Sequence, residues 1–154
     1  MKQIQSIIDM AEQQCKANGS RLTNKRKQVL TGLLSADRAL SAYELADYCK
    51  TEFDNPMPAM SVYRILDFLK QEELIHELKL ANKYIACSHI SCSHAHDASQ
   101  FLICRDCQRV EEITMNKSTM LELQQSIKGA GFQLLNPQLE MHCICDACAI
   151  STVQ

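Results

Sequence analysis

Two Cys-x-x-Cys pairs, Cys104-Arg105-Asp106-Cys107 and Cys145-Asp146-Ala147-Cys148, set the tightest condition on any fold this chain adopts. Four thiols so spaced converge into a tetrahedral zinc site when each pair sits on a turn beside a strand and the strands pair. The 37 residues between the pairs exceed the gap of an ordinary zinc ribbon and must hold structure of their own. From Gln100 the pattern predicts a strand, Phe101-Leu102-Ile103, then the first cysteine turn and a second strand through Val110 and Ile113. A helix capped by Asn116 or Ser118 carries Met120, Leu123 and Ile127 and closes at Gly129-Ala130-Gly131. Another apolar strand, Phe132 to Met141, returns to the second cysteine pair. A closed four-cysteine zinc would staple the C-terminal segment onto a domain small enough to need it.

The nine cysteines are read as thiols rather than disulfides. Nine cannot all pair, and the N-terminus shows neither a charged n-region nor an apolar h-region. No run approaches the roughly 18 apolar residues of a membrane span. A cytoplasmic protein with no membrane partner is therefore expected, and in that compartment free cysteines serve as ligands or reactive groups. A thioredoxin-like pair would open a helix in a βαβ unit, and neither motif is expected to do so. The His-x-Glu and Pro-Cys-x-x-Cys signature of a nucleobase deaminase is absent.

The first half reads as helices and a hairpin. Ile4, Ile7, Ile8, Ala11 and Cys15 recur at helical spacing over residues 2–17, and Asn18-Gly19 ends that helix. Thr23 caps a second helix bearing Val29, Leu30, Leu33 and Leu34, with Lys25, Arg26 and Lys27 in its first turns. Cations there oppose the helix dipole, so phosphate contact competes with a merely solvated face. Ser41 and Glu44 form a capping box ahead of a helix that buries Ala42, Leu45, Ala46 and Cys49. A fourth helix, from about Pro58 to Glu72, turns Val62, Ile65, Leu66 and Leu69 inward and leaves Ser61, Tyr63 and Arg64 off that stripe. Two short strands, 74–79 and 83–86, flank Ala81-Asn82.

Helices followed by a hairpin make a winged helix, in which the last helix before the wing enters the major groove. Ser61, Tyr63 and Arg64 are then the base readers, and Lys25 and Arg26 lie in a basic turn suited to phosphate. Net charge alone does not point to nucleic acid: residues 1–86 hold 12 Lys/Arg against 11 Asp/Glu, and the remainder 4 against 7. The fold class is α+β, an N-terminal winged-helix domain over residues 1–86 followed by a small α/β domain over 100–154. Between them, residues 87–99 form a hinge in which Cys87, His89, Cys92, His94 and His96 crowd into ten residues.

The order of these motifs resembles that of the ferric uptake regulator family of metal-sensing repressors, over essentially the whole chain. The resemblance rests on Arg21-Leu22-Thr23 with Arg26, Ser61-Val62-Tyr63-Arg64-Ile65-Leu66, Cys104 to Cys107 with Val110 and Glu112, and Cys145 to Cys148. Ser41-Ala42-Tyr43-Glu44-Leu45, Asp67-Phe68-Leu69 and Cys87 resemble the zinc uptake regulator branch. The resemblance implies a homodimer, through the 100–154 domain, that binds operator DNA when regulatory zinc is bound and represses zinc-uptake genes. It implies about two zinc ions per chain, the second held by His76, Cys87, a hinge histidine and Glu112. The hinge carries one residue more than the family pattern, so His96 is the expected third ligand and His94 the alternative. His142-Cys143 also departs from the pattern.

A thiolate in the regulatory set favours zinc over iron or manganese, whereas the iron and peroxide branches of the family carry an oxygen ligand where this chain has Cys87. An iron- or peroxide-responsive repressor is the nearest alternative. A thiol redox switch, losing zinc on oxidation, is another. A hydrolytic enzyme acting on a small organic substrate needs an open coordination position, and four protein ligands at each site leave none.

Overall fold

The computed structural model describes residues 2–36, 38–88, 90 and 99–152, so His89, Cys92, His94 and His96 of the hinge lie outside the described residues. The chain divides into two compact units, Met1–His94 and Ala95–Gln154.

In the first unit the helices form where apolar spacing and caps agree. Helix α1 (Lys2–Ala17) buries Ile8, Ala11 and Cys15. It stops at Gly19, whose φ of 78° lets the Ser20 N–H turn back to the Cys15 carbonyl at 2.8 Å. Thr23 caps α2 (Asn24–Ser35), and Ser41 caps α3 (Ala42–Phe53). The capping box at α3 is reciprocal: the Glu44 N–H donates to Ser41 Oγ at 3.2 Å, and the Ser41 N–H donates to Glu44 Oε2 at 2.7 Å. Helix α4 (Ala59–Gln71) turns Val62, Ile65, Leu66 and Leu69 into the same core as Val29, Leu30, Leu45 and Cys49. Each of these buried aliphatic side chains contributes about 1.5–3 kcal/mol over an exposed one. Cys15 and Cys49 are accordingly small core residues, with burial raising the pKa of both thiols.

Strands β1 (Ile75–Leu78) and β2 (Lys83–Ala86) pair antiparallel as a wing around Asn82, at φ 52°. Sequence periodicity does not announce one further link. Leu40 and Tyr84 exchange backbone hydrogen bonds of 2.9 and 2.8 Å, joining the wing to the chain just before α3. The helices and wing together are a winged helix.

The second unit is a three-stranded sheet ordered β4-β3-β5, with β3 (Ser99–Cys104) at its centre. β4 (Val110–Thr114) runs antiparallel to β3 and β5 (Leu139–Cys143) runs parallel to it, through a crossover that contains α5 (Lys117–Gly129). Asn116, rather than Ser118, caps α5 by accepting the Thr119 N–H at 2.8 Å. The returning strand is shorter than its apolar sequence predicts. Gly131 at φ 85° and the Asn136 side chain, which accepts the Gln138 N–H at 3.1 Å, keep residues 132–138 out of the sheet, and Pro137 has no N–H to give a ladder. Met120, Leu123 and Ile127 are only half-buried, while Phe132 and Leu135 are 73% and 92% exposed. Helix α6 (Asp146–Thr152) follows β5. No helix among the described residues is long and apolar enough to cross a membrane.

Replacing Ser41 by Ala removes one half of the α3 capping box. A loss of about 1 kcal/mol in urea unfolding of the winged helix is expected, with the fold retained.

Candidate metal centres and nucleic-acid surface

The two cysteine pairs meet because β3 and β5 are parallel neighbours. Cys104, the last residue of β3, is in register with Cys143 at the end of β5, and the Arg105 N–H donates to the Cys143 carbonyl at 2.9 Å. The first pair then rides a hairpin turn closed by Cys104 N–H to Arg109 O at 2.9 Å, with Gln108 in the left-handed region at φ 62°. The second pair leaves β5 two residues later. The Cys145 N–H points at Cys104 Sγ, 3.4 Å away, and one helical turn brings Cys148 back over the same point.

All four sulfurs lie within 4.8 Å of one another. Cys107 Sγ and Cys145 Sγ are 3.7 Å apart, against about 3.8 Å for the edge of a tetrahedron built on Zn–S bonds of 2.3 Å. The backbone N–H groups of Cys107 and Cys145 hold the Cys104 thiol down to about pKa 6. Hydrogen bonding to the thiols of Cys145 and Cys107 pushes Cys148 up to about 12. Without a cation the cluster therefore resists becoming four thiolates, and a divalent soft-ligand metal removes that conflict. The geometry and donor set fit zinc. Contrary to the sequence expectation, the second motif does open a helix, because Cys145 lies two residues beyond the end of β5 and Asp146 starts α6. Its sulfurs nonetheless face the other pair rather than standing as an isolated redox couple. Cys143 is outside the cluster, its thiol donating to the Met141 carbonyl at 3.7 Å.

The regulatory candidates divide between the units. His76, half-buried on β1, pairs with Ile85, so Cys87 two residues beyond is its diagonal neighbour on the same face of the wing. Cys87 is 3% exposed. Its N–H donates to the Leu74 carbonyl at 2.9 Å, and the Leu74 N–H donates in turn to the Leu69 carbonyl at 3.0 Å, in the last turn of α4. Glu112 stands on β4 in the second unit and accepts a 2.6 Å hydrogen bond from Ser99 Oγ. His96 and its alternative His94 are outside the described residues.

On α4, Arg64 is exposed and Ser61 and Tyr63 are half-buried. Lys25 is exposed at the start of α2. Tyr43, which apolar periodicity does not select, is 66% exposed on the first turn of α3, and its ring meets that of Tyr63 edge-on at 6.5 Å. The motif Ser41-Ala42-Tyr43-Glu44, a cap followed by an aromatic that the core does not take, was the signal that could have found it. Arg26 has partners within the chain: it donates to the Arg21 carbonyl at 2.6 Å and lies 3.6 Å above the Phe68 ring. Its guanidinium thus ties the N-terminus of α2 to α4. Replacing Arg26 by Ala is expected to destabilise the winged helix by about 0.5–1 kcal/mol in urea unfolding without DNA, as loss of an exposed cation–π contact predicts. An Arg26 that only met phosphate would leave that midpoint unmoved.

The ferric uptake regulator family model matches residues 17–148. The zinc uptake regulation protein of Escherichia coli (strain K12) is 32% identical over 144 residues, 94% of this chain and 82% of that protein. Among solved structures, a zinc uptake regulator complexed with zinc and DNA aligns at a TM-score of 0.84 with 28% identity over 98% of both chains. Holo XcZur aligns at 0.78 with 32% identity, over 94% of this chain and 98% of that one. The winged helix, the sheet unit with its converging cysteines and a match over most of the sequence place this chain in the ferric uptake regulator family.

Proposed function

We propose that this protein is a zinc-responsive transcriptional repressor that binds operator DNA as a homodimer when regulatory zinc is bound, and so controls zinc-uptake genes. Similarity to a zinc uptake regulation protein and to a regulator solved with zinc and DNA supports this reading. In it the chain works as a DNA-binding part (1–86), a metal-binding hinge (87–99) and a dimerisation part (100–154). It acts in the cytoplasm and catalyses nothing.

Each chain holds about two zinc ions. One sits among Cys104, Cys107, Cys145 and Cys148 and keeps the sheet unit folded. The other is regulatory, held by His76, Cys87, Glu112 and a hinge histidine, His96 or in its place His94. The buried Cys87 thiolate selects zinc over harder metals. In the dimer Ser61, Tyr63, Arg64 and Tyr43 face base edges, while Lys25 and the outer side of Arg26 meet phosphate. The exposed Phe132 and Leu135 and the half-buried face of α5 are surfaces of the kind a second copy covers.

The observation that carries the reading is the pair of backbone hydrogen bonds from Cys87 through Leu74 to Leu69. A ligand that immobilises Cys87 acts on the strand leading directly out of the reading helix. Linking the DNA-binding part to Glu112 restricts the hinge and favours the orientation in which two reading helices meet half-sites about one helical turn apart. The coupling is of order 1–3 kcal/mol.

Replacing His76 or Cys87 by Ala is expected to leave about one zinc per chain and an intact dimer, while zinc-dependent operator binding in fluorescence anisotropy disappears. Unchanged zinc-dependent binding in both variants would contradict the assignment. Elemental analysis of protein purified without added metal should give about two zinc per chain, and iron in its place would favour the iron-responsive branch of the family.

A further inference from the structure

We infer that Tyr63 is a positioning residue for operator readout that acts through Tyr43, its ring holding the exposed Tyr43 phenol in place for a base edge; this deepens the reading of Tyr43 as a base reader and rests on it. The backbone of Tyr43 is fixed on both sides. Just before it, Leu40 exchanges hydrogen bonds of 2.9 and 2.8 Å with Tyr84 of the wing, and Ser41 closes the capping box with Glu44. Just after it, the Glu44 carboxylate also takes Arg38 at 2.9 Å and Lys83 at 3.8 Å. What these contacts leave open is the Tyr43 side chain. It is 66% exposed at the start of α3, outside the apolar core.

The ring that meets it is that of Tyr63, with centroids 6.5 Å apart and planes at 89°. In this edge-to-face arrangement the positive rim of one ring meets the negative face of the other. Tyr63 is placed to set that geometry rather than to follow it. It is half-buried on α4 and packs against the apolar core, next in the chain to Val62 at 0% exposure. A tyrosine side chain turns about two bonds, and ordering an exposed one opposes DNA binding unless a neighbour has ordered it beforehand. Tyr63 supplies that order to a residue whose backbone is already held. The contact runs through the two rings and leaves the Tyr63 hydroxyl out of it, which separates this role from direct readout by the Tyr63 phenol.

The test is DNA affinity by fluorescence anisotropy on zinc-loaded full-length dimer. The probes are a duplex that the wild-type dimer selects from random sequence and a shuffled duplex of the same length. Tyr63→Leu is expected to weaken binding to the selected duplex about 2–13-fold for each half-site, the factor that an edge-on aromatic pair carries. Binding to the shuffled duplex, which phosphate contacts carry, should fall less. Tyr63→Phe, which keeps the ring, should restore affinity to within a few-fold. In a Tyr43→Ala background the further change Tyr63→Leu should do nothing. Equal losses from Tyr63→Phe and Tyr63→Leu would make the Tyr63 hydroxyl a reader in its own right and overturn the inference. An equal loss from Tyr63→Leu with and without Tyr43, or on both duplexes, would make the ring merely structural and overturn it as well. Wild-type affinity in Tyr63→Leu together with weak binding in Tyr43→Ala would overturn the role of Tyr63 and leave Tyr43 a reader. Wild-type affinity in Tyr43→Ala would overturn the reading of Tyr43 itself. Should the leucine variant not fold, Tyr63→Met removes the same ring and is read by the same criteria.

Discussion

The parallel pairing of β3 with β5 is the contact on which the second unit depends. It sets Cys104 level with Cys143, and so brings the two cysteine pairs, 37 residues apart in sequence, to one end of the sheet. Parallel neighbours need a long crossover, and closing that loop costs entropy before any contact repays it. Burial repays only part of that cost. β3 is buried at every position but Leu102, whereas no residue of α5 is fully buried and Phe132 and Leu135 are exposed. Four thiols within 4.8 Å of one another offer the remaining stabilisation when a metal joins them.

The first unit is built differently, around an apolar core shared by all four helices and the wing. That core is apolar, and no cluster of metal-ligating side chains is found among the described residues of this unit. The two metal sites of the proposed reading therefore differ in kind. The four-cysteine cluster lies within one folded unit at the junction of strands it helps hold. The proposed regulatory set instead takes His76 and Cys87 from the first unit and Glu112 from the second.

Much of this was legible in the chain because the signals were local. The stripe Val62, Ile65, Leu66, Leu69 and the box Ser41 to Glu44 each specify an element within a few residues, and the structure has them as read. Cys-x-x-Cys spacing likewise announces its own chemistry. What escaped was set by long-range partners or by backbone chemistry that apolar content hides. Residues 132–138 look like a strand by hydrophobicity, but Gly131, Asn136 and Pro137 turn the chain before β5 can start. The second cysteine pair opens α6, since only the end of β5 decides where that helix begins. The stacking of Arg26 over Phe68, 42 positions away, is likewise a partner that local spacing does not name. The hydrogen bond from Ser99 to Glu112 exists through strand register alone.

The account stands on coupling between regulatory zinc and operator DNA, and coupling between two binding equilibria is reciprocal. The decisive measurement is the dissociation constant for regulatory zinc, on dimer with its four-cysteine sites filled, with and without a saturating operator duplex. Zinc should bind about 5–150-fold more tightly in the presence of the operator, by the same factor with which zinc strengthens DNA binding. A zinc affinity indifferent to operator DNA would contradict it.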